Sequence, residues 1–234
     1  YDIEILDGIK VIRVWTYITK NKGIFGRSLD YFSFFLSSFI SGLFVNCDII
    51  IGTSPQFFTP ISTSLLSFFK RKKWIFEVRD IWPESIYAVN AISKKNLLIS
   101  FLRYIEIKLY KSANHIVVVT DSFKKDIIHK GINSNKISVF KNGCNLDFFK
   151  PSPPNEDLLK KYNLKKKIVI GYIGTLGMAH GLDFILNSII NLNDDRLHFL
   201  FIGEGSEKDR LLKIKKENKI NNVTFIDMVH HINK

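Results

Sequence analysis

Two glycine-bearing segments close short hydrophobic runs: IGYIGTLGMAHGLD over 170–183 and FIGEGS over 201–206. A strand that runs into Gly174, Thr175, Leu176 and Gly177, with a helix opening at Gly181, lets the main chain approach a ligand closely. The helix start presents N–H groups and partial positive charge, which suit a phosphate or diphosphate. His180 directly precedes that helix, where a protonated imidazole adds charge. The second segment repeats strand, turn and helix around Gly203, Glu204 and Gly205. Glu204 is placed either to accept from ribose hydroxyls or to stabilise a helix start. One glycine turn is equally a tight strand–helix corner. Two turns on parallel strands open at one carboxyl edge, where ligands bind.

A third segment, VRDIWPES over 78–85, delivers Arg79 and Asp80 to a strand end, with a Trp82–Pro83 corner and Glu84 close behind. Arg79 can hold a diphosphate or orient a carboxylate; Asp80 and Glu84 are acid–base candidates. A plain surface ion pair is the competing reading of Arg79 and Asp80. Thr120 and Asp121 follow another apolar run and serve as cleft candidates or as alternative N-caps of the next helix. KNGCNLD over 141–147 reads as a turn leaving the last strand of a first domain. His129 reads as helix surface, and His230 and His231 stand near the end of the sequence. No histidine pair has zinc-ligand spacing, so no metal site is expected.

These residues need a scaffold of alternating elements. Strands are expected near Val11–Val14, Asp48–Ile51, Lys73–Val78, His115–Val119, Ile137–Phe140, Ile168–Ile173, His198–Ile202 and Val223–Ile226. Runs such as IVVV and IVIGYI suit parallel strands covered on both faces. Between them, Leu98, Leu102, Ile105 and Leu109 share a helical face. Helices are also expected over Ser122–Lys130, stopped by Gly131, and over Leu182–Leu192 and Glu207–Glu217. The alternation predicts an α/β doubly wound fold with parallel sheets. KPSPPN over 150–155 excludes a helix interior or central strand and reads as a linker. The expected domains are 1–150, a linker over 151–166, and 167–234. The last offers three strands and two helices, fewer than such a domain usually holds, so it is expected to be incomplete.

The formal charge is 34 − 22 = +12. That balance favours an anionic partner, although lysines are also scattered through the chain. The basic clusters are Lys70–Lys73, Lys165–Lys167 and Lys213–Lys216, the last on a helix. The segment 31–47 carries no charge; a buried or membrane-surface helix is expected there rather than a span. Beside it, Lys70–Lys73 suits an anionic bilayer. Most phenylalanines fall in apolar runs that read as core, which argues against a nucleic-acid partner. Cys47 and Cys144 form no disulfide framework, and a reducing setting is expected.

Taken in order, VRDIWPES, HIVVVTDSFKKDII, KISVFKNGCNLDFFKP, GYIGTLGMAHGLD and FIGEGSEKDRL resemble the retaining glycosyltransferases of family 4. The resemblance runs from about Asp7 to the end. It implies the GT-B fold, two facing Rossmann-like domains, the first on the acceptor side and the second binding the donor. It implies transfer of a sugar from a nucleotide diphosphate, here expected to be UDP-linked, with retention and without metal or cofactor. The RDIWPES-like and GMAHGLD-like segments resemble transferases of N-acetylated aminosugars such as fucosamine or quinovosamine. These act on polyprenyl-diphosphate-linked glycans in O-antigen or capsule assembly, which implies a cytoplasmic protein peripheral to the inner membrane face. The sequence departs from the wider family at Thr175, His180 and Arg79, where many members carry Arg, Lys and His. The family's opening glycine-rich turn is expected upstream of Tyr1, and its glutamate motif beyond Lys234. The chain alone is therefore expected to be inactive. The alternatives are a nucleotide-sugar epimerase on the same fold and a non-catalytic basic binding protein.

Overall fold

The computed structural model describes residues 2–18, 24–54, 56–83, 97–192 and 194–229. The chain divides into two compact units, Tyr1–Cys144 and Asn145–Lys234.

The first unit opens on a hairpin of β1 (Asp2–Leu6) and β2 (Ile9–Arg13), paired antiparallel as a sheet of its own. Asp7 (φ 51°) and Gly8 (φ 81°) make its two-residue turn. Asp-Gly is a strong sequence signal for such a turn; the strand expected over Val11–Val14 is the second strand of this hairpin, Ile9–Arg13, and stands outside the parallel sheet. The uncharged stretch forms α1 (Ile24–Leu43). No helix among the described residues is long and apolar enough to cross a membrane.

Then come β3 (Ile49–Thr53), α2 (Phe58–Lys70), β4 (Lys73–Val78), α3 (Leu97–Ser112), β5 (His115–Val118), α4 (Asp121–His129) and β6 (Ile137–Val139). The strands form a parallel sheet in the order β3-β4-β5-β6. Trp74, Phe76, Val78, Ile116, Val118 and Ile127 are buried at its core. The α3 face expected from Leu98, Leu102, Ile105 and Leu109 is rotated. Leu98 is exposed, whereas Ile99, Glu106, Leu109 and Tyr110 are buried. Apolar periodicity missed this because a carboxylate occupies the inner face. The Glu106 Oε1 accepts there from the Tyr110 hydroxyl (2.8 Å) and the Lys130 ammonium (2.8 Å). Lys130 also meets Asp126 at 3.0 Å.

The phenylalanines are less internal than their apolar runs imply. Phe32, Phe44, Phe68, Phe69, Phe101 and Phe140 are all exposed. That removes the composition argument against an aromatic binding surface.

In the second unit, the proline-bearing segment 151–154 carries neither helix nor strand, and α5 (Glu156–Lys161) follows it. The Asn155 side chain caps α5 by accepting from the amides of Asp157 and Leu158. Three parallel strands follow, β7 (Ile168–Ile173), β8 (Leu197–Ile202) and β9 (Val223–Ile226), with α6 (Leu182–Ile190) and α7 (Lys208–Glu217) between them. Among the described residues β7 pairs with β8 alone and leaves Ile168, Val169, Ile170 and Ile173 exposed, while β8 lies centrally with Phe199 and Phe201 buried. An unbroken apolar run shows strand propensity but cannot say how many neighbours the strand has.

His198 points into this unit, its Nε2 2.8 Å from the Thr224 hydroxyl. Burial first, then the charges of Lys167 and Lys215, hold its pKa below the usual imidazole value. The unfolded chain protonates this group near pH ~6.5, before the folded chain does. The unfolded state therefore binds more protons in that interval, and stability falls as pH drops below about 6.5. In urea denaturation, His198→Gln is expected to shrink the stability lost between about pH 7.5 and about pH 5.5. An identical loss in both proteins would assign the acid sensitivity to other groups.

Candidate functional site

Because β3 to β6 are parallel, the residues leaving their carboxyl ends share one edge of the first unit. Ser54, which the sequence did not single out, organises it. Ser54 is buried, its amide donates to the Glu77 carbonyl (3.0 Å), and its hydroxyl accepts from the amides of Arg79 (2.9 Å) and Asp80 (3.2 Å). Thr53 beside it donates to the Glu77 carboxylate. The backbone of Arg79 and Asp80 is thereby fixed while both side chains remain exposed. The Trp82 ring packs near Phe57, 6.3 Å between centroids. Glu84 lies outside the described residues, as do His230 and His231.

The next strand end brings Thr120 and Asp121. Thr120 is the N-cap of α4, its hydroxyl accepting from the Phe123 amide (3.1 Å), which resolves the alternative left by the sequence. Asp121 pairs with Lys141 at 3.0 Å. This edge thus alternates charge around polar groups with fixed positions.

The second unit holds the glycine turns. β7 and β8 are in register to their last residues, Ile173 opposite Ile202, so both turns leave at the same edge. They are tied backbone to backbone. The Gly174 amide donates to the Ile202 carbonyl (3.0 Å), the Leu176 amide to the Glu204 carbonyl (2.8 Å), and the Glu207 amide to the Leu176 carbonyl (2.9 Å). Only glycine fits at the crossing. A Cβ on Gly203, whose φ is +147°, would fall on the Gly174 carbonyl oxygen. One on Gly205 would reach 2.5 Å from the Leu176 carbonyl carbon.

Leu176 is therefore a joint rather than a ligand-facing residue. Its side chain is fully buried, and its amide is spent on Glu204. The remaining positions surround the turn. Tyr172 donates from its hydroxyl to the Thr175 carbonyl (2.8 Å). The exposed His180 ring lies 6.0 Å from the Tyr172 ring and against Gly177. Gly181, left-handed at φ 59°, then opens α6 with no side-chain cap at its start. The uncapped helix start, Gly177 and His180 together offer donors and positive charge on one side of the turn.

Glu204 is not a lone acceptor. Its carboxylate pairs with Lys208, which also pairs with Asp227. The hydrogen bonds to Asp227 and then Glu204 raise the Lys208 pKa above its usual value. Asp183, in the first turn of α6, pairs with Arg210. Tyr172 and Lys208 went unnoticed in the sequence. The tyrosine lies inside an apolar run, and the lysine four residues after Glu204 is a common helix pairing. No group of three His, Cys, Asp or Glu that could hold a metal occurs among the described residues.

Parallel α/β units whose strands end in glycine turns define a doubly wound α/β architecture. The solved structure of Anabaena Alr3699/HepE, in complex with UDP, has the same fold. It matches at a TM-score of 0.65 and 15% identity, over 88% of this chain and 54% of that one. The fold is thus α/β with parallel sheets, of the GT-B glycosyltransferase kind. The model of Glycosyltransferase Family 4 matches residues 5–148, and the chain belongs to that family. It is similar to the "Probable glycosyltransferase WbjE" of Pseudomonas aeruginosa, 24% identical over 173 residues, 73% of this chain and 43% of that protein. It is also similar to the "Putative colanic acid biosynthesis glycosyl transferase WcaI" of Escherichia coli K12, 23% identical over 221 residues, 91% of this chain and 54% of that protein. The chain spans about half the length of these relatives.

Proposed function

We propose that this chain is part of a retaining transferase that moves a sugar from a UDP-linked donor to a hydroxyl of a polyprenyl-diphosphate-linked glycan. The observation that carries the donor half is the pair of glycine turns tied together by Leu176 beside the uncapped start of α6. In the reaction the acceptor oxygen bonds to the anomeric carbon and the bond from that carbon to the diphosphate oxygen breaks. The leaving diphosphate takes the electron pair. The amides of Thr175 and Gly177, the helix start after Gly181, and His180 stabilise the charge it gains; the Gly174 amide is already donated to the Ile202 carbonyl. Arg79 and Asp80 belong to the acceptor side, where the exposed Asp80 carboxylate takes the acceptor proton. No metal and no cofactor takes part in this reading.

A similar protein named for colanic acid biosynthesis supports a biosynthetic transferase; the setting at the inner face of the membrane is part of the proposal. An N-acetylated aminosugar of the fucosamine or quinovosamine type remains the donor sugar of choice from the sequence segments at 78–85 and 170–183.

Titration calorimetry with UDP tests the donor half. His180→Ala is expected to weaken UDP binding about tenfold or more, the loss of one charge-assisted hydrogen bond. Unchanged affinity would remove His180 from the site. Incubation with the donor alone separates transfer from isomerisation: a rearranged sugar formed without acceptor would replace the transferase reading by an epimerase.

A further inference from the structure

One exposed aromatic pair in the first unit takes no part in the strand-end charges. After β2 the chain continues through Arg13, Val14, Trp15, Thr16 and Tyr17, and exposure alternates: Arg13, Trp15 and Tyr17 face out, while Val14 and Thr16 are half-buried. A period of two is that of an extended chain, so Trp15 and Tyr17 share one side, about 6.6 Å apart between Cα atoms. Trp15 is 64% exposed and Tyr17 49%. The segment is pinned from behind. The Thr16 hydroxyl donates to the Asp30 carboxylate (2.7 Å), the Tyr17 amide to the Ser33 hydroxyl (2.8 Å), and that hydroxyl to the Asp30 carbonyl (2.8 Å). Both partners lie on α1. The outward rings are thus carried by main chain whose position is already fixed.

Aromatic contacts lead from this segment to the edge that holds Arg79 and Asp80. Phe32 lies between Asp30 and Ser33 on α1. It packs edge-on against Phe58 at the start of α2 (6.3 Å between centroids), Phe58 packs against Phe57 (6.4 Å), and Phe57 lies near Trp82 (6.3 Å). Phe57 and Phe58 follow the carboxyl end of β3 by a few residues, as Trp82 follows that of β4. The pinned segment therefore flanks the edge of the sheet assigned to the acceptor.

We propose that Trp15 and Tyr17 form a stacking platform for the sugar chain of the acceptor, holding a pyranose ring away from the reacting hydroxyl. The inference rests on the proposed transfer to a glycan and names how that glycan is held. The chemistry selects this occupant. One face of a pyranose presents C–H groups, which lie flat on the electron-rich face of an indole or a phenol. The indole N–H and the phenol O–H at the ring rims serve the sugar hydroxyls. The exposed Arg13 guanidinium, on the same side as Trp15, is paired with the Glu4 carboxylate (2.6 Å), so a donor and an acceptor for hydroxyls stand beside the rings. A purely apolar partner would gain nothing from these polar rims. Two rings in line on an extended segment suit a linear ligand, and stacking asks for a flat surface rather than a shaped groove.

Saturation-transfer NMR and titration calorimetry with a soluble trisaccharide of N-acetylglucosamine, in the absence of nucleotide, test this. Stacking reads the C–H face rather than one hydroxyl pattern, so this sugar is a sufficient probe. Wild type is expected to transfer saturation to the ring C–H protons and to bind the trisaccharide about fivefold or more tighter than the monosaccharide. W15L should weaken binding about tenfold and Y17L about fivefold, although leucine keeps each position apolar. W15F, which keeps an aromatic face, should stay within about threefold of wild type. Both rings are exposed, and circular dichroism checks that the fold is kept. No saturation transfer in the wild type, or W15L and Y17L binding as the wild type does, overturns the proposal. So does a wild-type dimer in light scattering that W15L converts to monomer with no trisaccharide binding, which would make a second copy the occupant. If trisaccharide binding fails while UDP binding persists, the platform falls and the transferase reading stands. If UDP binding fails while W15L still lowers trisaccharide binding, the donor half falls and the platform stands.

Discussion

Gly203→Ala is expected to destabilise the second unit by about 3–5 kcal/mol and to abolish UDP binding. Two costs add. Gly203 sits at φ +147°, where residues with a Cβ are strained by about 1–3 kcal/mol. The new Cβ also falls on the Gly174 carbonyl oxygen, and overpacking of this kind costs about 1–3 kcal/mol. Relief is not local, because the obstacle is main chain held by the Gly174 amide bond to Ile202. To make room, the two turns must separate, which breaks the Leu176–Glu204 and Glu207–Leu176 bonds. The chain supplies an internal control. Its three tryptophans, Trp15, Trp74 and Trp82, all lie in the first unit. Tryptophan fluorescence should therefore report an unaltered transition, while far-UV dichroism loses the part belonging to the second unit. A variant with wild-type dichroism and wild-type UDP affinity would show that the turns do not depend on this contact.

Lys130→Met is expected to cost the first unit about 3–5 kcal/mol, the usual penalty for removing one member of a buried charge pair. Glu106 is 3% exposed, and its carboxylate loses a cation at 2.8 Å. The Asp126 Oδ2 that meets Lys130 at 3.0 Å is buried as well, so both carboxylates share the penalty. Adding Glu106→Gln should restore part of the loss, because the amide oxygen still accepts from Tyr110 and carries no charge to bury. Here tryptophan fluorescence is the reporter, since Trp74 stacks on Phe76 and Phe76 packs on Tyr110. A midpoint unchanged from wild type would mean that Glu106 does not need this cation.

The strands over Lys73–Val78, Ile168–Ile173 and Val223–Ile226 lie where the residues alone place them. Short β-branched and aromatic runs bounded by turns or charged residues are a local signal, and no distant contact overrode it. The glycine turns were legible for the same reason. What stayed hidden was set by distant partners. Periodicity could not reveal that Glu106 faces inward, since its stability there depends on Lys130, 24 residues on. Nor could it reveal that β7 pairs with β8 alone among the described residues or that the phenylalanines of α1 and α2 face outward, because an apolar residue carries no mark of which neighbours will arrive. Ser54 was missed because a lone serine after a strand is unremarkable until its hydroxyl is seen receiving two amides from another strand end. In the second unit the opposite happened. Leu176 looked like part of a ligand loop but is the pin between two loops.

That pin has a thermodynamic corollary. Loops that greet phosphates are often the most restless parts of an enzyme, ordering only as the ligand lands. Here the main chain of one loop is stitched to the next around a side chain with no solvent contact. On the proposed reading, the cradle is set before a diphosphate enters it. Little disorder remains to be surrendered on association, so more of each new contact survives as affinity.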